Sequence, residues 1–134
     1  MTLREASVVL VHDVARPLVP VDVVARVIEG VRGGAVAVVP CVGVVGPVRQ
    51  VTEAGSFVLD DSSLRAVQTP QGFDLATLVD AHNLAADCGV HVVDDAAVCE
   101  YAGHEVALIE GSPRSLLIRD PADVAYAEAL LRAG

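Results

Sequence analysis

The stretch that decides the fold lies near the start of the 134-residue chain and reads Val8-Val9-Leu10-Val11-His12-Asp13-Val14-Ala15-Arg16-Pro17. Its apolar run predicts a short strand buried on both faces. The run stops before Asp13, Arg16 follows three residues later, and Pro17 favours an extended turn. Because ligands of open α/β sheets bind beyond the carboxyl ends of the strands, Asp13 and Arg16 are candidate site residues. A carboxylate can hold a divalent cation and an arginine can grip phosphate. The alternative is that the two residues merely pair or cap a following helix.

A strand–helix–strand unit extends from this stretch. Pro20 and Asp22 begin an amphipathic helix that is predicted to run to about Val31. Residues 35–39 then form a second buried strand, closed by Pro40. Such a unit implies a parallel, right-handed crossover.

Residues 41–64 predict a protruding arm. Two short alternating stretches, residues 48–52 and 57–59, flank a Gly-containing turn, which is the pattern of a β-hairpin. Exposed hairpin strands have adhesive edges, so we expect dimerisation through this arm.

The second half of the chain alternates helices with short strands. Three helices are predicted, each introduced by an aspartate: Asp74 before a helix to about Cys88, Asp94 or Asp95 before one to Tyr101, and Asp120 before one to Arg132. Residues 105–110 predict a strand and residues 115–118 a possible further strand. We therefore expect one α/β domain over residues 1–134, with the arm at about residues 41–64.

The composition excludes several classes of protein. The net charge is −9, and all nine basic residues are arginines. A nucleic-acid partner is not expected, because binding to a phosphate backbone needs clustered positive charge. No apolar run is long enough to cross a membrane, and residues 1–5 predict a short cytosolic lead-in without a signal peptide.

The cysteines and histidines show no metal-binding pattern. Three widely spaced cysteines without a C-x-x-C motif predict buried reduced thiols in a cytoplasmic protein. The four histidines, His12, His82, His91 and His104, likewise lack the spacing of metal ligands.

Five segments together carry a resemblance to one family. They are Val11-His12-Asp13-Val14-Ala15-Arg16-Pro17, Ala66-Val67-Gln68-Thr69-Pro70-Gln71-Gly72-Phe73, Asp94-Asp95-Ala96, Glu110-Gly111-Ser112-Pro113 and Pro121-Ala122-Asp123. In this order the chain resembles 2-C-methyl-D-erythritol 4-phosphate cytidylyltransferases, including the related ribitol-phosphate cytidylyltransferases. The likeness covers nearly all of this chain but only the later part of a family member.

The resemblance implies a three-layer αβα, Rossmann-like nucleotidyltransferase sheet and a homodimer locked by exchanged hairpin arms. It also implies transfer of CMP from CTP to a polyol phosphate, with Mg²⁺ and release of pyrophosphate, in isoprenoid precursor synthesis. Asp13 and Arg16 match the acid and the arginine of the active site, with Asp13 as the candidate metal ligand. Thr69 matches the threonine that helps hold the polyol phosphate. Positioning and charge neutralisation supply the catalysis of such a phosphoryl transfer.

The chain also departs from the family pattern. Nothing matches the Gly-rich loop for CTP with which family members begin, and there is no lysine among the 134 residues, so we expect an N-terminally truncated sheet. Pro47 replaces a threonine, Asp61 an arginine and Leu117 a lysine; Arg114 or Arg119 could stand in for that lysine. Each lost charge-assisted contact costs about 1.5–3 kcal/mol, and each 1.4 kcal/mol is roughly tenfold in rate. We therefore expect impaired or absent catalysis by this chain alone.

Two functions remain open at this point. The first is a cytidylyltransferase whose amino-terminal half is supplied elsewhere or was lost through a misplaced start codon. The second is a non-catalytic binding or dimer-partner protein derived from that family. A decayed remnant without function is the third possibility. At the level of residues, Thr69 could belong to a plain strand-to-helix connection, and Asp94-Asp95 could be a helix cap.

Overall fold

The computed structural model describes residues 7–134, so the predicted lead-in of residues 1–5 lies outside the described residues. This part of the chain contains seven strands and four α-helices. The strands are β1 (Val8–Val11), β2 (Ala37–Gly43), β3 (Val48–Thr52), β4 (Gly55–Leu59), β5 (Arg65–Val67), β6 (Gln71–Asp74) and β7 (Ala107–Glu110). The helices are α1 (Val21–Arg32), α2 (Leu75–Asp87), α3 (Asp95–Tyr101) and α4 (Pro121–Arg132).

The predicted strand–helix–strand unit is present as β1, α1 and β2, but its two strands are not neighbours. β6 lies between them and is antiparallel to both, so β1 and β2 run in the same direction. The sequence pattern missed β6, because residues 71–74 lie in a Gln-Gly-Phe-Asp stretch without strand periodicity. Its conformation comes from pairing on both sides, which a local pattern does not encode.

β2 is the central strand and is longer than predicted. It continues through Pro40 to Gly43, so the expectation that Pro40 closes the strand is wrong. Proline lacks a backbone donor, but its carbonyl still accepts, here from the N–H of Gln68 at 2.8 Å. On one side β2 pairs with β6 and then β5, both antiparallel, and on the other side it pairs with β7 in parallel.

The sheet is covered on both faces, which confirms the three-layer α/β fold. Alternate residues of β2 enter opposite clusters: Ala37 and Val39 pack towards α2 and α3, whereas Val38 packs towards α1. This is the period-two alternation of a strand buried on both sides. β1 also contacts both clusters, through Val9 on one face and Leu10 on the other. Its first three residues are only partly buried and Val11 is exposed, so β1 is less buried than the sequence predicted.

Aspartate caps begin three of the helices, as predicted. The Asp74 carboxylate accepts from the N–H of Thr77, Asp94 does so from Ala97, and Asp120 from Asp123. These contacts satisfy backbone donors that the first helical turn leaves unpaired. The fourth helix, α1, follows Pro20 without a side-chain cap.

The prediction of a possible strand at residues 115–118 is wrong. A short 3-10 helix, Pro113–Ser115, occupies its beginning, and residues 116–118 are not in a strand. The N–H of Ile118 donates to the carbonyl of Ala15 at 2.8 Å, so this donor goes to the loop after β1 rather than to a strand ladder.

The hairpin of the arm is present as an independent sheet of β3 and β4. Thr52 pairs with Gly55, which leaves a two-residue turn, and the pairing continues to Val48 and Leu59. Residues 41–43 remain in the main sheet, paired with β5, so the hairpin is shorter than the predicted arm of residues 41–64. Nearly every residue of β3 and β4 is exposed.

Cys41 and Cys99 are buried free thiols, as predicted, but Cys88 is exposed because it follows the last turn of α2. Within residues 7–134, none of the helices has the length and apolar character that a membrane crossing requires.

Candidate functional site

The three predicted site residues lie in one cleft. Asp13 and Arg16 belong to the connection that follows β1, and Thr69 lies between β5 and β6. Val11, the last residue of β1, pairs with Gln71, the first residue of β6. This register brings the carboxyl end of β1 beside the connection that carries Thr69. The cleft has a volume of about 350 Å³. It is also bordered by Asp94, which caps α3, and by Asp95, the first residue of that helix.

Asp13 and Arg16 form an ion pair inside a tight turn. The N–H of Arg16 donates to the carbonyl of Asp13 at 3.0 Å, and Arg16 Nε lies 3.2 Å from Asp13 Oδ2. The pairing alternative is therefore observed, whereas the capping alternative is wrong, since α1 has no side-chain cap. The Arg16 side chain is only 14% exposed and that of Asp13 is 51% exposed, so the acid is the more open partner.

Arg16 also makes a hydrogen bond to Ser115, a residue distant in sequence. Its Nη1 donates to the carbonyl of Ser115 at 2.7 Å. A guanidinium has five N–H donors. With Asp13 and Ser115 as its acceptors among residues 7–134, Arg16 keeps three donors for a ligand.

Thr69 is bound to the loop of the acidic residue through a short chain of hydrogen bonds. The backbone N–H of Asp13 donates to Thr69 Oγ1 at 3.0 Å, and the same oxygen lies 3.0 Å from His12 Nδ1. His12 Nε2 in turn lies 3.0 Å from the carbonyl oxygen of Arg16. Sequence reasoning did not select His12 as a site residue. Its position next to Asp13 at a strand end was the available signal.

A buried glutamine fixes the segment that supports Arg16. Gln68 is 6% exposed; its Nε2 donates to the Ser112 carbonyl at 2.8 Å, and its Oε1 accepts from the Ser112 N–H at 3.0 Å. The neighbouring Gly111 leaves room for this contact, because a Cβ there would collide with Gln68 Oε1. Sequence reasoning also missed Gln68, whose role depends on a partner 44 residues away.

The charges around the cleft are mainly negative. Within the part of the chain that the structure describes, Asp13, Asp94 and Asp95 border the cleft together with one guanidinium, that of Arg16. The cap alternative holds for Asp94, since its carboxylate accepts from the N–H of Ala97, whereas Asp95 Oδ1 lies 2.6 Å from His82 Nε2. A cleft of this charge favours a cation or a donor of hydrogen bonds over a free anion.

No metal cluster is preformed in the described part of the chain. Residues 7–134 contain no group of three or more histidine, cysteine, aspartate or glutamate side chains placed to hold an ion. Mg²⁺, however, needs only one or two carboxylates when waters and substrate phosphates complete its octahedron. Asp13 fits that requirement, because its Oδ1 has no hydrogen-bond partner among these residues.

The three departures from the family pattern lie outside this cleft. Neither Pro47, Asp61 nor Leu117 is among the residues that border it. Asp61 instead lies at the base of the hairpin, where a Cβ on Gly46 would collide with its carboxylate. A second hollow of about 390 Å³ lies between α2 and α3 and shares Asp94 and Asp95, but it includes none of the three predicted site residues.

Comparison with known proteins gives a consistent result. The sequence model of the family described as "IspD: 2-C-methyl-D-erythritol 4-phosphate cytidylyltransferase" matches residues 2–133. The 2-C-methyl-D-erythritol 4-phosphate cytidylyltransferase of Streptomyces coelicolor is 46% identical over 95% of this chain, which spans 49% of that protein. The bifunctional enzyme IspD/IspF of Lawsonia intracellularis is 40% identical over 92% of the chain, which spans 31% of that protein.

Solved structures agree with these relatives. The cytidylyltransferase of Thermus thermophilus superimposes with a TM-score of 0.86 at 40% identity, covering 96% of this chain and 63% of that chain. The enzyme from Francisella tularensis gives a TM-score of 0.82 at 28% identity, covering 91% and 58%. The chain thus spans about half the length of the curated cytidylyltransferases it matches.

The layered sheet, with its cleft at the carboxyl end of β1, defines a protein of the nucleotidyltransferase-like α/β class. Within that class, the chain belongs to the 2-C-methyl-D-erythritol 4-phosphate cytidylyltransferase family.

Proposed function

We propose that this chain contributes the acceptor- and cation-binding side of a cytidylyltransferase site. The reaction is transfer of CMP from CTP to 2-C-methyl-D-erythritol 4-phosphate with release of pyrophosphate, a step of isoprenoid precursor synthesis in the cytoplasm. One observation carries the proposal: Thr69, which lies 56 residues from Asp13 in sequence, borders the same cleft as Asp13 and Arg16, and hydrogen bonds link the three residues. Membership of the family supports the choice of substrates.

Each residue has a distinct role in this proposal. Asp13 offers its exposed carboxylate to Mg²⁺, which supplies neutralisation of phosphate charge when it is bound. Arg16 offers the guanidinium donors that Asp13 and Ser115 leave over, and it is already oriented by those two contacts. An oriented cation adds catalysis because no reorganisation is needed when charge develops. Thr69, whose hydroxyl oxygen accepts from the N–H of Asp13, contacts the polyol substrate beside the acid.

We infer that catalysis by this chain alone is weak. Among residues 7–134, Arg16 is the one cation that borders the cleft, and three carboxylates oppose it. A triphosphate and a second phosphate group need several cationic or amide contacts for charge neutralisation.

The test is pyrophosphate release from CTP with Mg²⁺ and 2-C-methyl-D-erythritol 4-phosphate, together with calorimetric titration of each ligand. We expect slow or undetectable turnover but measurable binding of the polyol phosphate. Asp13→Asn should remove the dependence of binding on Mg²⁺, whereas Asp80→Asn on the exposed surface of α2 should leave it unchanged. If none of the ligands binds, the proposal is wrong.

The arm favours a second candidate function, that of a non-catalytic dimer partner. Val51, Phe57 and Val58 are 80%, 52% and 61% exposed on a two-stranded sheet that has few contacts with the rest of the chain. An isolated hairpin is marginal in water, so a partner that covers these side chains would stabilise it. We propose a homodimer through the arm in either case. Mg²⁺-dependent binding of the polyol phosphate that Asp13→Asn abolishes distinguishes the enzyme from the partner.

A further inference from the structure

We propose that His12 is a positioning residue that holds the hydroxyl proton of Thr69, so that Thr69 meets a ligand as a hydrogen-bond acceptor. The resemblance implied only that this threonine helps hold the polyol phosphate. The geometry points to a hydroxyl of the polyol, rather than its phosphate group, as the part that Thr69 contacts. This ligand assignment rests on the proposed function, whereas the state of His12 and Thr69 does not.

First, the tautomer of His12 follows from its hydrogen bond to Arg16. Its Nε2 lies 3.0 Å from the carbonyl oxygen of Arg16. A carbonyl oxygen only accepts hydrogen bonds, so Nε2 must carry the proton. In a neutral imidazole the other nitrogen is then bare, which makes Nδ1 an acceptor.

The second step is the orientation of the Thr69 hydroxyl. Thr69 Oγ1 lies 3.0 Å from His12 Nδ1, and because that nitrogen is bare, the hydroxyl donates to it. The backbone N–H of Asp13 donates to the same oxygen at 3.0 Å. A hydroxyl has one proton and two lone pairs. Its proton and one lone pair are therefore engaged, and one lone pair is left for a ligand.

The third step is the chemistry of that ligand. A phosphate dianion has only acceptor oxygens, so it gains nothing from a lone pair of Thr69. A polyol hydroxyl can donate to it. The surrounding carboxylates of Asp13, Asp94 and Asp95 also favour donors over anions, and Arg16 is the group in the cleft that suits phosphate. Thr69 thus accepts a hydrogen bond from a hydroxyl of the polyol, and Arg16 donates to the phosphate group.

His12 has a second effect, on the loop itself. By donating to the Arg16 carbonyl it closes the turn that begins at Asp13, a turn also held by the Arg16 N–H to Asp13 carbonyl bond of 3.0 Å. One imidazole therefore aligns the acid, the arginine and the threonine. Asparagine and glutamine each reproduce one of the two hydrogen-bonding positions of the imidazole. His12→Asn retains a polar atom near the Nδ1 position, and His12→Gln retains one near the Nε2 position.

The first experiment reads the tautomer directly, without any substrate. Nitrogen-15 NMR of the histidine side chains at mildly alkaline pH should show His12 protonated at Nε2 and bare at Nδ1. Thr69→Val should shift the Nδ1 resonance towards that of a free acceptor, whereas Thr69→Ser should leave it near the wild-type position. A proton on Nδ1, or an Nδ1 resonance that does not respond to Thr69→Val, would overturn the assignment.

The second experiment reads the ligand contact by calorimetry with two probes, 2-C-methyl-D-erythritol 4-phosphate and inorganic phosphate. Thr69→Val and His12→Gln should weaken binding of the polyol phosphate roughly three- to tenfold, the effect of one hydrogen bond. Binding of inorganic phosphate should not change in these two variants. The conservative variants Thr69→Ser and His12→Asn should retain most of the wild-type affinity for the polyol phosphate. Arg16→Ala should weaken both probes.

The outcomes separate the two proposals. Equal weakening of both probes by Thr69→Val would mean that Thr69 contacts phosphate, and this inference would be wrong while the proposed function stood. Failure of both probes to bind wild-type protein would overturn the proposed function and the ligand assignment together. The NMR result would still decide the state of His12 and Thr69.

Discussion

A glycine on β6 lets helix α1 approach the sheet. Gly72 is buried opposite Leu10 of β1, and a Cβ at this position would collide with Val27 and lie 3.2 Å from Val31, both on α1. The backbone conformation does not require glycine here, because its φ is not in the left-handed region. The requirement is the short distance between the layers, as is usual where a helix packs closely on a strand.

Gly72→Ala is therefore expected to destabilise the fold. Overpacking of a buried site costs about 1–3 kcal/mol, and the two valines have little rotamer freedom to move away. Urea unfolding followed by circular dichroism measures the change. Gly43→Ala is the matched control on a strand, since a Cβ there meets nothing within 4 Å. A similar loss in both variants would contradict the packing argument.

The connections between elements depend on a few polar contacts. Gln68 joins the end of β5 to the segment after β7 through two hydrogen bonds with Ser112. Gln68→Leu keeps the volume but leaves the N–H of Ser112 unpaired, whereas the Ser112 carbonyl keeps the N–H of Ser115 at 3.0 Å. We expect a loss of about 1–3 kcal/mol in unfolding free energy, because the unpaired N–H loses its water without a replacement.

Chemical unfolding of Gln68→Leu measures this loss, and Gln50→Leu on the exposed arm is its control. Since the Ser112 segment leads to the carbonyl that holds Arg16, the variant should also weaken phosphate binding. Unchanged stability would mean that the segment is held by other contacts.

Helix α2 depends on its cap in a manner that changes with pH. The hydroxyl and then the N–H of Thr77 donate to the Asp74 carboxylate, and these bonds lower the pKa of Asp74 below its ordinary value of 3.8. The folded state thus favours the ionised form. The stabilisation is present above the ordinary pKa of the unfolded chain and is lost as pH falls through the folded value.

Asp74→Ala should lower the free energy of unfolding by about 1 kcal/mol at neutral pH, the usual contribution of an N-cap. The difference from wild type should shrink as pH falls below 3.8 and then through the lowered pKa of the folded state, because the carboxylate becomes protonated there. Urea titrations at neutral pH and at a series of acidic pH values measure it, with Asp80→Ala on the same helix as the control. A difference independent of pH would exclude an ionised cap.

At the scale of the whole molecule, the arm is the feature that the layered body does not explain. The pairing of β3 with β4 places Phe57 on one face of the hairpin and Val51 with Val58 on the other, and all three are exposed. A ribbon with apolar side chains on both faces is suited to insertion between surfaces of a partner.

We expect the purified chain to sediment as a dimer, and Phe57→Arg combined with Val58→Arg to convert it to a monomer with an unchanged circular dichroism spectrum. Leu131→Arg on α4 replaces a comparably exposed apolar residue, at 63%, and should leave the dimer intact. A monomeric wild type, or a dimer sensitive only to the α4 variant, would contradict dimerisation through the arm.

Local patterns in the sequence determined the elements that are stable by local rules. The Val-Leu run of β1, the aspartate caps of α2, α3 and α4, and the alternation of the hairpin each follow from neighbours within a few residues. The motifs around Asp13 and Thr69 also indicated which residues would meet in one cleft. Their catalytic and metal-binding roles stay predictions.

Tertiary pairing decided what those patterns did not contain. β6 is a strand only because β1 and β2 flank it, and β2 passes Pro40 only because β7 and the Gln68 connection pair with it there. His12 and Gln68 acquired their roles from partners 57 and 44 residues away. The physical reason is the same in each case: a hydrogen bond between distant segments depends on the sheet register, and register is set by the assembled core rather than by a residue's neighbours in the chain.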